Sequence, residues 1–175
     1  MKTADFFRQQ VREARELLEA TVEGVTPAQA TWRPTGKGAP IAVQYAHVVA
    51  SQDAALHSLL LGGRPLLAAT EWATGSGMSE LPPPLGHSWE RWSRDATFDL
   101  PELRAYAASV YEASDAAFAS LGDDDLQRPI DLSAAGFGEA TMAFMLLNGW
   151  VNNVFLHCGE IACLKGMQGE QGYPV

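Results

Sequence analysis

The chain has 175 residues, 47% hydrophobic and 19% charged, enough for one domain over 1–175 with a real core and too apolar for a disordered segment. Its formal net charge is -9 and its 12 Lys and Arg form no run or stripe, which argues against a phosphate-neutralising surface and against nucleic acid as a partner. No apolar run approaches the roughly 20 residues needed to cross a bilayer, and the opening MKTADFFRQQVREARELL is charged and amphipathic rather than a signal peptide, so no membrane contact and a cytoplasmic location are expected.

Phe7, Val11, Ala14, Leu18 and Val22 recur at spacings of four and three with charges between them, which predicts an amphipathic helix over 4–23, stopped at Gly24. Thr26-Pro27-Ala28-Gln29 then offers a cap residue, a proline at the first helical position and a glutamine at the third, so a short helical turn follows and closes at Trp32-Arg33-Pro34. Pro40 opens a second helix, IAVQYAHVVASQDAALHSLLLGG, which runs to the glycine pair 62 and 63 and carries His47. Residues 64–98 are rich in Gly, Pro and Trp, with the run Pro82-Pro83-Pro84 and a short helix around SWERWSRD. A connection of that length in a compact domain is usually functional, or a lid.

Asp99 and Glu102 form a capping box around Pro101, and Leu103, Ala107, Val110, Ala117 and Leu121 continue a helical stripe to Gly122. The segment DDDLQRP then echoes TPAQATWRP, each a short capped turn ending in Arg-Pro after a long helix, which suggests two helical hairpins related by a pseudo-twofold. Thr141 caps a last helix to about Lys165. With no strand-like alternation, the pattern predicts an all-α fold: a four-helix bundle with a long crossover between helices two and three.

Sites in bundles are built from inward-facing side chains on neighbouring helices. Asn153 and His157 are four apart on the last helix and project from one face, with Glu160 three residues further on; His47 sits mid-helix with Gln44 and Ser51 at helical spacing. If the two helices are neighbours, two imidazoles and an amide oxygen meet around one point, a donor set suited to a divalent transition metal with water in the remaining positions. Each histidine can equally be a hydrogen-bonded core residue, since one histidine per helix is a much weaker pattern than H-E-x-x-H. Glu160 is either an acceptor for a ligand's ring N–H or a salt-bridged surface residue.

His57 lies off the His47 face and is read as packing or surface, while His87 in the long loop is a lid residue or a solvated one. Trp72, Trp89 and Trp92 either line a pocket or anchor the crossover. Asp123-Asp124-Asp125 lacks the glycine and distal glutamate of a calcium loop and reads as a helix-entry cap with solvated charges. Cys158 and Cys163 lie five apart in one predicted helix and point in different directions, so both are expected as reduced packing thiols.

The segments LLEATVEGVTPAQATWRPTGKGAPIAVQYAHVVASQDAALHSLL and HCGEIACLKGMQGEQGYPV, in this order and spacing, resemble the first helical pair and the last helix of the DinB/YfiT-like superfamily. That superfamily also contains transferases that use bacillithiol or mycothiol. The resemblance covers almost the whole chain, and it implies a four-helix bundle whose helix order departs from simple up-and-down. It also implies a nickel or zinc ion held by one histidine from helix two and two histidines four apart on the last helix. Carried onto this chain, His47 matches the first ligand and His157 the last, while the middle position, usually histidine, is Asn153. An amide oxygen is a poorer ligand than imidazole for these metals, so affinity should be lower than with three histidines.

Two functions follow as expectations. One is a metal-dependent transferase or hydrolase acting on a small molecule, the ion supplying a thiol or water nucleophile near neutral pH, with a low-molecular-weight thiol as co-substrate. The other is a non-catalytic, small-molecule-binding or stress-related protein with a degenerate metal site. Pairing of exposed helix faces as a homodimer is expected beside either.

Overall fold

A computed structural model of the chain describes residues 2–84 and 87–174; residues 85 and 86 of the long loop lie outside them. The first long helix spans Thr3–Val22, and its stripe of Val11, Ala14, Leu18 and Val22 is buried as the spacing predicts. One N–H of its first turn, on Ala4, donates to Asp123 Oδ1 at 2.8 Å, so Asp123 caps a helix distant in the chain. The second long helix, Ile41–Ala54, follows Pro40 and continues as a π-helical segment, Ala55–Leu60. The third spans Leu100–Ala119, with Asp99 Oδ1 accepting from Glu102 N at 3.0 Å. The fourth starts at the Thr141 cap and comprises Met142–Leu146, a π-helical segment Leu147–Asn152, and Asn153–Met167, ending two residues beyond the expected Lys165.

The expectation of no strands is corrected by a two-stranded antiparallel hairpin, β1 (Pro129–Leu132) and β2 (Gly138–Thr141), in which Ile130 faces Ala140. Ile130 and Leu132 point inward between exposed Pro129 and Asp131, a period-two pattern only four residues long. Gly136, at φ 85°, supplies the left-handed turn conformation. The predicted loop 64–98 also holds more structure than expected: a 3-10 turn Leu66–Ala68, a helix Thr70–Gly75, the anticipated helix at Glu90–Asp95, and a bridge between Met78 and Phe98. Gly77, at φ 76°, lets this crossover lie on the third helix, because a Cβ there would come within 2.5 Å of Asp99 O and 2.7 Å of Leu103 N.

The second long helix packs against both the third and the fourth, and the first packs on the fourth. One core cluster, including Leu18, Ile41, Tyr45, Leu103 and Ile161, lies among these helices; another gathers Phe118, Leu126, Ile130, Met142 and Trp150 around the hairpin. Two carboxylates staple the layers. Glu19 accepts from the hydroxyls of Tyr45 (2.5 Å) and Tyr111 (3.0 Å) and from Arg104 Nε (3.0 Å). Asp53, fully buried, accepts from Leu66 N (2.8 Å), Leu67 N (3.0 Å) and the Tyr106 hydroxyl (2.6 Å), and His57 Nδ1 lies 2.8 Å from its Oδ1. Burial and the adjacent carboxylates raise the pKa of Tyr45 and Tyr106, so both phenols stay protonated donors. Among the described residues, no helix is long and apolar enough to cross a membrane.

Candidate functional site

The second long helix is buried on nearly every side: Ile41, Ala42, Val43, Tyr45, Ala46, Val48, Val49 and Ala50 all lie in the core. Gln44, His47 and Ser51, spaced by three and four, form the stripe that keeps partial exposure. On the fourth helix Val154, Cys158 and Ile161 face the core, and Asn153 and His157 sit at the margin between core and solvent. These margins meet. The His47 and His157 ring centroids are 4.9 Å apart with the planes at 68°.

Trp89 from the crossover closes a second side of His47, edge to face at 4.3 Å between centroids. The burial that results, and secondly the charge His157 would carry if protonated, lower the His47 pKa from 6.5 to about 4. At neutral pH its imidazole is therefore uncharged and has a lone pair to offer. His157 Nδ1 lies 2.6 Å from Glu160 Oε2, a bond that fixes the ring and, with the proton on Nδ1, leaves the lone pair on Nε2 free. A metal about 2.1 Å from each ring nitrogen lies about 3.2 Å from each centroid, so two imidazoles sharing one ion have centroids about 4.5 to 5.2 Å apart. The observed spacing falls in that interval.

His47 and Asn153 line one cavity of about 180 Å³. The rest of its wall is mainly apolar and includes Leu59, Leu132, Phe137 and Phe144, so the hairpin that sequence reasoning missed supplies one side of it. Both π-helical segments border this cavity, Ala55 and Leu59 from one and Asn148 and Trp150 from the other. Wide turns of this kind shift side chains off the regular helical stripe and are frequent at functional sites. Nothing in the local sequence signals them. No group of three or more His, Cys, Asp or Glu gathers in metal-binding geometry among the described residues, and the amide of Asn153 shares the cavity lining with His47.

The other candidates are distributed as follows. His57, read as packing or surface, is tied to Asp53. His87 is exposed, its N–H donating to Pro84 O, and the loop residue that reaches His47 is Trp89. Trp72 tilts against Tyr106, and Trp92 is buried with its indole N–H donating to Glu80 O at 2.8 Å, so these two anchor the crossover. Cys158 and Cys163 are both free thiols, the first buried and the second exposed; burial pushes Cys158 up to about 11.

A family model of the DinB superfamily matches residues 10–161, most of the chain and both histidine-bearing helices. The chain belongs to the DinB superfamily. The crystal structure of a conserved protein from Enterococcus faecalis is similar to this DinB chain at a TM-score of 0.79, over 97% of this chain and 99% of that one. Sequence identity is 17%, so that likeness shows the fold alone. Among curated proteins none matches the chain.

Proposed function

We propose that this DinB-superfamily chain is a four-helix bundle that holds a divalent transition metal, nickel or zinc, at His47, His157 and Asn153, and that it acts as a metal-dependent transferase or hydrolase on a small molecule. The observation that carries the reading is the meeting of two imidazoles from distant helices at 4.9 Å, beside a cavity that Asn153 also lines. Bound there, the ion would lower the pKa of a thiol or water and so supply a nucleophile near neutral pH. The chain's own residues do the rest. Trp89 and the apolar wall exclude bulk water, Glu160 orients His157, and Asn153 contributes a weak oxygen donor or orients a water.

Asn153 in place of an imidazole favours a second reading, a small-molecule-binding protein whose site has lost full coordination. Metal analysis of protein purified without nickel resin, followed by an assay with a low-molecular-weight thiol and an electrophile, separates the two. The enzyme reading expects bound nickel or zinc and turnover, both abolished by His47→Ala. Protein without metal or turnover, but with a bound small molecule, supports the second.

A further inference from the structure

A second cavity, of about 410 Å³, lies beside the first. Leu59 lines both. Trp89 also lines the second, while its ring rests edge to face against the His47 imidazole. Apart from Ser58, the remaining wall is apolar: Leu67 from the 3-10 turn, Pro82, Pro83 and Pro84 from the crossover, and Leu81, which is 51% exposed although it borders a cavity. Proline rings fix φ, so the Pro82–Pro84 side has less backbone freedom to lose on binding than an ordinary loop. The size falls within the roughly 300 to 1,000 Å³ usual for small-molecule pockets.

The lining decides the chemistry of the occupant. Among the described residues bordering either cavity there is no Lys, Arg, Asp or Glu. A carboxylate, phosphate or ammonium entering the second cavity would lose its hydration without gaining a charged partner, a cost that apolar burial does not offset. An uncharged hydrocarbon or aromatic group gains in proportion to the area it removes from water, and Leu81 and Trp89 offer that area.

We propose that the cavity bounded by Leu59, Leu67, Leu81, Pro83 and Trp89 binds an uncharged, largely apolar small molecule and holds it against Trp89, the ring that packs on His47. This rests on the metal reading only for what happens to the molecule afterwards, since the binding itself needs no ion. It also means that a polyanionic thiol is a poor occupant of this cavity, and that the specificity of the site is for an apolar, neutral substrate.

The test is a fluorescence titration of the full chain with N-phenyl-1-naphthylamine, which is uncharged, and with 1-anilinonaphthalene-8-sulfonate, which adds a sulfonate to the same ring skeleton. The expected result is saturable 1:1 binding of the neutral probe, with the sulfonate weaker by about tenfold or more. Leu81→Glu puts a carboxylate in the wall and Ser58→Trp fills the cavity from an exposed position, so each is expected to weaken the neutral probe by about tenfold. A folding defect in one variant leaves the other to decide. No saturable binding, equal binding of the two probes, or binding that neither substitution weakens overturns the proposal. Metal content measured on the same samples separates the two readings: an ion without probe binding overturns this cavity's role alone, and probe binding without an ion overturns the metal reading alone.

Discussion

His47 and Asp53 stand less than two turns apart on the same helix, and their surroundings are opposite. Asp53 is fully buried and saturated, with two backbone N–H groups, a phenol and an imidazole around one carboxylate. His47 has two aromatic rings for neighbours, His157 and Trp89, and a cavity in front of it. A polar group whose bonds are all made inside the protein is holding the fold together, whereas one left uncharged at a cavity wall has its lone pair free for something that arrives. The contrast is therefore between a polar residue tied into the fold and one that the proposed function uses, and it can be broken from either side.

The largest effect is expected from Asp53→Ala. It orphans the Leu66 and Leu67 N–H groups and the Tyr106 hydroxyl at once and frees the start of the crossover, so urea denaturation should show a loss of about 3 kcal/mol or more. A loss below about 1 kcal/mol would mean that the staple is not structural. Next comes the pH response of His47 in metal-free protein. Its folded pKa is below the ordinary value, so as pH falls the unfolded chain takes the proton first. Stability is then whole above pH 6.5 and is lost as pH falls toward about 4, by up to about 3 kcal/mol, and His47→Leu should remove that part of the pH dependence. A variant that keeps the same acid sensitivity would place the titration elsewhere.

Asn153→His sharpens the functional side. An imidazole four residues before His157 adds a nitrogen donor where the amide now stands, and zinc affinity measured by calorimetry should rise by about tenfold or more. Unchanged affinity would remove position 153 from the site. The smallest effect concerns the cysteines flanking the fourth helix's core face. With a pKa of about 11, Cys158 is a thiolate for about one part in a thousand at pH 8. Exposed Cys163 should therefore take up a maleimide in the native protein while Cys158 reacts only after unfolding, as mass spectrometry of the labelled peptides would show.

Much of the helical framework was legible because its signals are local. Val11, Ala14, Leu18 and Val22 mark a buried stripe by spacing alone, and Thr26, Asp99 and Thr141 each announce a helix start through a side chain that does cap it. The histidine pair was legible in a weaker sense: spacing puts Asn153 and His157 on one face, but only the packing of the second helix on the fourth brings His47 to them. What stayed hidden depends on partners far along the chain. Asp53 is not singled out by the sequence, since its partners at 66, 67 and 106 carry no sequence mark. The hairpin escaped because a four-residue alternation, Pro129-Ile130-Asp131-Leu132, is too short to stand out, although Gly136 and Gly138 were turn signals within it.

The central claim is that His47 and His157 share one ligand. It is tested most directly by titrating zinc into metal-free protein while following the ring C–H resonances of all four histidines by NMR. The account predicts that His47 and His157 shift together and saturate at one equivalent, while His57 and His87 stay in place. Movement of only one of the pair, or of neither, would contradict it.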